Sequence, residues 1–159
     1  MKELVGIAEQ VAGRLIARKQ TIAVAESSTG GLISAALLAV PGASAYFLGG
    51  AVVYTRDARR ILMDIPDEAM KGIRSASEPY AKLLASRIRG RFSTDWGLSE
   101  TGATGPTGNR YGDAAGHSCM AVAGVASDVM TLETGSDDRQ ANMHEFAKTA
   151  LGLLLRNLG

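Results

Sequence analysis

The chain has one cysteine, Cys119. A lone thiol can form neither an internal disulfide framework nor a zinc cluster, so the expected setting is reducing and cytoplasmic. Charge of one sign is equally scarce: 17 basic residues face 16 acidic ones, for a formal net charge of +1. That balance removes the electrostatic case for nucleic acid or an anionic membrane as a partner. No apolar run approaches the ~18–20 residues that span a bilayer. The first twenty residues are amphipathic rather than continuously apolar, unlike a signal peptide. No His, Asp and Glu cluster has metal-ligand spacing, so no metal is expected. Gly-Lys-[Ser/Thr] does not follow the serine-rich turn at 26–31, and G-x-G-x-x-G is missing there too, which removes the Walker and dinucleotide loops. No lysine lies between Lys19 and Lys71.

What is present suits one domain over residues 1–159: 46% hydrophobic and 21% charged residues, in a chain long enough to bury about two thirds of its unfolded surface. Leu4, Ile7, Ala8, Val11 and Leu15 recur at helical spacing and predict an amphipathic helix over 2–18. Residues 21–25 are short, apolar and partly β-branched, as in a buried strand. Helical spacing resumes from Ile33 to Val40 and is stopped by Pro41-Gly42. A second strand is expected at Leu48–Tyr54 and a short helix from Arg56 to Met63. Ser77-Glu78-Pro79 opens another helix that runs up to Gly90. Trp96 and Leu98 mark a third strand ending at Thr101. Residues 102–116 hold five glycines and a proline, too many for regular structure, and form a long loop. Ser118–Ala123 and Val129–Thr134 then make an antiparallel hairpin, and 137–158 the last helix. The expected architecture is a three-layer α/β/α sandwich on a mixed, mostly parallel five-stranded sheet, with its ligand site beyond the carboxyl ends of the parallel strands.

Three segments carry candidate chemistry. In Glu26–Gly31, the hydroxyls of Ser27, Ser28 and Thr29 sit between a strand end and a helix start. This is either an anion site built on free amides or a plain N-cap, and local pattern favours the cap. In Thr101–Gly108, glycines let the backbone approach a ligand and threonines offer hydrogen bonds, although glycine clusters are more often ordinary turns. In Gly42–Tyr54, Ser44 is a possible nucleophile, and Tyr54 is a site residue or a plain strand residue. His117 starts a strand without a local acid to pair with and reads as structural; His144 reads as a surface residue.

Together these segments resemble the CinA C-terminal domain family, whose signature runs A-E-S-C-T-G-G, P-G-S-S-x-x-F, Y-S-N-x-x-K, S-E-P, [ST]-G-x-x-G-P and G-D-R. Here the corresponding stretches are Ala25–Gly31, Pro41–Ser44 with Phe47, Tyr54–Arg56, Ser77–Pro79, Thr101–Pro106 and Asp138-Arg139, in order along the chain. The resemblance implies a self-associating α/β/α domain, a homo-oligomer that needs no cofactor or metal. Characterised members convert nicotinamide mononucleotide to nicotinate mononucleotide and ammonia with a serine nucleophile and a lysine base. Carried over, Ser27 and Ser44 are the nucleophile candidates, and Tyr54 and Arg59 stand at the remaining catalytic positions. Thr29, Gly30, Gly31, Thr101, Gly102, Gly105 and Arg139 would bind the substrate and its phosphate. The family lysine falls on Arg59, and an arginine keeps its proton at any working pH. Three functions follow: an amidohydrolase in which another group, such as His117, replaces the lysine; a mononucleotide-binding domain without turnover; or an interaction protein.

Overall fold

A computed structural model describes all residues, 1–159. The apolar periods fold as read. Helix α1 (Lys2–Arg18) buries Leu4, Ala8, Val11 and Leu15 and closes on Lys19, whose left-handed backbone ends the helix. Strand β1 (Ile22–Glu26) is buried along its whole length. Helix α2 (Leu32–Leu38) stops two residues short of Val40, and a 3₁₀ turn over Ala43–Ala45 leads into β2 (Phe47–Val52). Helix α3 (Arg56–Met63) is capped by the Thr55 hydroxyl. Helix α4 (Glu78–Phe92) is capped by Ser77, carries proline in its first turn, and continues past Gly90. Strand β3 (Trp96–Ala103) outlasts its expected end at Thr101 because Gly102 and Ala103 still pair with Ser118 and His117. Strands β4 (His117–Ala123) and β5 (Asp128–Glu133) form the hairpin, and α5 (Arg139–Leu158) starts behind the Asp138 cap.

The sheet order is β2-β1-β3-β4-β5. β1 is parallel to both β2 and β3, while β4 runs antiparallel to its two neighbours. Helices α1, α2 and α5 cover one face over the main core, which includes Trp96, Leu98 and Leu154; α3 and α4 cover the other around Tyr80, Leu84 and Ile88. This is the expected three-layer sandwich. Helix α4 lies so close to β3 that a methyl on Gly97 would come within 2.1 Å of the Ala85 carbonyl. From β1 the chain crosses to β2 on one side and then returns to β3 on the other. The carboxyl ends of β1, β2 and β3 therefore open a crevice at the switch point, where ligands bind in such sheets. Three segments meet there: the 27–31 turn, residues 53–55 and the glycine-rich 104–116 loop.

Candidate functional site

Two side chains that ordinarily seek water organise this edge from inside. Glu26 and Glu100 are both fully buried. Buried carboxylates need hydrogen bonds or a cation, and no arginine or lysine pairs with either. Glu26 Oε1 instead accepts from the Gly31 amide at 2.9 Å, the Ile33 amide at 3.1 Å and the Thr29 hydroxyl at 2.6 Å. Its Oε2 accepts from the Ser34 amide at 2.9 Å and the Ser34 hydroxyl at 2.8 Å. The carboxylate thus satisfies the orphan amides at the start of α2 and complements its dipole. Glu100 reaches the same turn from β3. Its Oε2 accepts from the Ser27 amide at 3.1 Å and the Thr29 amide at 3.0 Å, and lies 2.9 Å from the Thr29 hydroxyl, whose single proton is shared between the two acids. Its Oε1 accepts from the hydroxyls of Ser28 at 2.5 Å and Ser118 at 3.2 Å. Burial pushes the Glu100 carboxyl above its usual range, against the pull of these hydrogen bonds.

These contacts correct the expectation of a phosphate on the α2 start. The amides of Ser27, Thr29, Gly31, Ile33 and Ser34 already donate to protein carboxylates. The cap is a carboxylate reaching forward from Glu26 rather than a serine or threonine hydroxyl. Thr29 is fully buried between the two acids and closed to a ligand; Gly30 and Gly31 both have positive φ, as the turn requires.

Two cavities open above this layer and share Tyr54. The larger, about 370 Å³, is lined by Ser27, Arg56, Arg59, Arg110 and Tyr111 among others. Arg59 is 8% exposed. Its guanidinium lies 5.8 Å from the Tyr80 ring centroid, and Nη2 is 3.5 Å from Asp67 Oδ1. Its Nε is buried without any hydrogen-bond partner. Arg56 holds Asp67 more tightly, at 2.9 Å, and Arg110 Nη2 donates to the Tyr111 hydroxyl at 3.0 Å. Three arginines against one aspartate leave this compartment cationic.

The smaller cavity, about 250 Å³, is lined by Ser28, Tyr54, Gly102, Thr104, Gly105, Thr107, Gly108 and Arg139 among others. Arg139 bridges its rim, donating to the Gly105 carbonyl and to the Tyr54 hydroxyl. Gly105 has a φ of +106°, and a side chain there would come within 2.8 Å of the Asp137 carbonyl. Asn142, buried in α5, holds the loop in place by donating to the carbonyls of Thr104 and Ser136, at 2.9 and 2.8 Å.

The structure gathers Ser27, Tyr54, Arg59, Gly102, Gly105 and Arg139 around one cleft, with Thr29, Gly30 and Gly31 just beneath it. Thr101 is buried and accepts from the Ala76 amide at 3.2 Å, outside both cavities. Ser44 stands apart: it is exposed on the 3₁₀ turn before β2, at the amino end of the strand, and the cleft lies beyond the carboxyl end. His117 lines neither cavity, which removes it as a substitute for the lysine. Its Nδ1 lies 2.5 Å from Glu133 Oε1 and its Nε2 lies 2.7 Å from the Ala76 carbonyl, so both ring nitrogens are engaged. Burial works against its positive charge, but Glu133, the Ala76 carbonyl and Asp113 prevail and raise its pKa. Its acids are Glu133 on β5 and, against the expectation of no local partner, Asp113 four residues earlier, 3.6 Å from Nε2.

Glu100, Arg110, Tyr111 and Asn142 join the site although sequence reasoning passed over them, and Ser28, read there only as one hydroxyl of the capping turn, lines the smaller cavity. A signal existed for Glu100, since an acid in a strand that also carries Trp96 and Leu98 must be held by polar partners if that strand is buried.

The family model for the CinA C-terminal domain matches residues 5–158. A CinA-like protein of Chlorobium limicola is 36% identical over 149 residues, covering 90% of this chain and 35% of that protein. One from Anaeromyxobacter is 36% identical over 146 residues, covering 92% and 36%. The chain thus spans about a third of the length of these curated relatives. A CinA superfamily protein of Klebsiella pneumoniae superposes with a TM-score of 0.91 at 25% identity, over 98% of this chain and 97% of that one. The competence/damage-inducible protein CihA of Agrobacterium tumefaciens superposes with a TM-score of 0.87 at 26% identity, over 97% and 94%. With a matching family model over nearly its whole length and the same fold, the chain belongs to the CinA C-terminal domain family.

Proposed function

We propose that this domain binds a pyridine mononucleotide and hydrolyses its carboxamide, converting nicotinamide mononucleotide and water to nicotinate mononucleotide and ammonia. One observation carries the recognition half: the Arg59 Nε is buried, unpaired and part of a cationic cavity. An unsatisfied buried donor costs about 1–3 kcal/mol, and a phosphate monoester supplies the missing acceptor with geometry that suits a guanidinium. In this arrangement the phosphate takes the compartment of Arg56, Arg59 and Arg110. The pyridinium ring crosses Tyr54, a favourable cation–π partner, and the carboxamide enters the smaller compartment beside Ser28 and the glycine loop. A homo-oligomer in solution belongs to the same proposal.

One observation favours a second function, mononucleotide binding without turnover: Arg59 occupies the position of the family lysine, and the Ser27 hydroxyl beside it has no base as partner. Calorimetric titration with nicotinamide mononucleotide and with its phosphate-free riboside tests the recognition half common to both. The mononucleotide binds at least tenfold more tightly, and Arg59→Met removes most of that difference. Equal affinities, or no binding of either at millimolar concentration, would overturn the phosphate assignment.

A further inference from the structure

Resting on the amidohydrolase proposal, the question is which hydroxyl attacks and what takes its proton. A serine hydroxyl becomes nucleophilic only beside a base. Ser44 is outside the cleft. Ser27 lines the larger cavity, but its hydroxyl meets no carboxylate, imidazole or amine. Thr29 is fully buried between two acids. Ser28 differs from all three. It is 5% exposed, lines the smaller cavity, and its Oγ donates to Glu100 Oε1 at 2.5 Å, within the reach required of a general base. Across that cavity, the amides of Gly105, Thr107 and Gly108 donate to no protein acceptor. Such amides can hold a developing oxyanion.

We propose that Ser28 is the nucleophile of this site and that the Glu100 carboxylate is its base. Ser28 Oγ attacks the carboxamide carbon as its proton passes to Glu100 Oε1, and the carbonyl oxygen becomes an oxyanion facing the loop amides. The intermediate collapses with cleavage of the C–N bond. Glu100 returns the proton to the leaving nitrogen, which departs as ammonia and leaves the nucleotide esterified to Ser28. Water then attacks the ester carbon and gives a proton to Glu100. The bond to Oγ breaks, and Ser28 recovers its proton from Glu100.

Glu100 suits this role because no cation pairs with it. Its neighbours are hydroxyls and amides, and Glu26 on β1 is the one ionisable side chain joined to it, through the Thr29 hydroxyl. Burial raises its pKa, so the acid limb of the activity profile lies above the ordinary glutamate range and disappears in Glu100→Gln.

The test runs two readouts side by side: ammonia release from nicotinamide mononucleotide with metal chelated, and covalent labelling by a fluorophosphonate probe, which needs no knowledge of the substrate. The wild type labels on Ser28 by peptide mass mapping. Ser28→Ala loses at least a thousandfold in turnover while remaining folded, its melting temperature lowered by only the few degrees expected for one lost hydroxyl donor to a buried carboxylate. Ser44→Ala, outside the cleft, stays within about tenfold. Glu100→Gln loses at least a hundredfold in both readouts. If that variant does not fold, the acid limb of wild-type labelling supplies the same test. Ammonia release with labelling on Ser27, or with Ser28→Ala active within tenfold, overturns this assignment and leaves the amidohydrolase standing. Ser28 labelling that depends on Glu100, without ammonia release, upholds the nucleophile and base and overturns the substrate. Neither label nor ammonia overturns both.

Discussion

Removing the Glu26 side chain tests whether the anion this turn was built for is part of the protein itself. In Glu26→Ala, five hydrogen bonds to one carboxylate disappear. Thr29 keeps its contact with Glu100, so its loss is small. The Ile33 amide is buried and left without an acceptor, at about 1–3 kcal/mol. Gly31 and Ser34 are half-buried and recover water, at about 0.5 kcal/mol for each of their three bonds, toward the low end for a lost N-cap. The sum is about 2.5–4.5 kcal/mol, a large share of the 5–15 kcal/mol typical of a domain. For a chain of this length it lowers the melting temperature by roughly 10 °C. Glu26→Gln retains one acceptor but turns its NH2 group toward other donors, and loses about half as much. Ser34→Ala removes one hydroxyl donor only and costs about 1 kcal/mol or less. Urea denaturation with the slope monitored measures all three. A loss below 1 kcal/mol in Glu26→Ala would refute the idea that this carboxylate satisfies the helix start. A phosphate that restores the stability of Glu26→Ala, but does not stabilise the wild type through that turn, would support it further.

Two other predictions concern the frame of the site. His117 has its pKa raised in the folded protein, so its stabilising contribution is complete below the unfolded value of about 6.5 and is lost as pH rises through the higher folded value. Urea midpoints of the wild type should therefore fall between pH 6 and pH 9 relative to those of His117→Gln; parallel curves would contradict the His117–Glu133 pairing. Gly97→Ala forces a methyl against the Ala85 carbonyl and should cost about 1–3 kcal/mol as α4 is pushed from the sheet. An unchanged midpoint would mean that the helix sits farther away.

Much of this molecule was legible before its coordinates. The stripe of Leu4, Ala8, Val11 and Leu15 and the Ser77-Glu78-Pro79 start are local signals, decided by period and capping, and both elements fold where those signals place them. The crevice followed too, because two turn-rich segments after consecutive buried strands must share one sheet edge. What escaped depends on contacts distant in sequence. Glu100 meets the 27–29 turn only because β3 pairs with β1 in register. Arg110 and Tyr111 reach the larger cavity as the 109–113 turn closes on Asn109 and Asp113 and is tied to Arg74 at 2.6 Å. His117 takes its closer acid, Glu133, from a neighbouring strand. The α2 start misled for a different reason. Its free amides were counted correctly, but Glu26, placed by its sequence in the turn segment, is the last residue of β1 and their acceptor.

The most direct test of the whole account is ammonia release from nicotinamide mononucleotide by the purified wild-type protein with metal chelated. We expect turnover on the order of 1 per second, within the usual range for enzymes, saturating with substrate and abolished in Ser28→Ala. No release above background at millimolar substrate, from protein that is folded, would contradict the proposed hydrolysis.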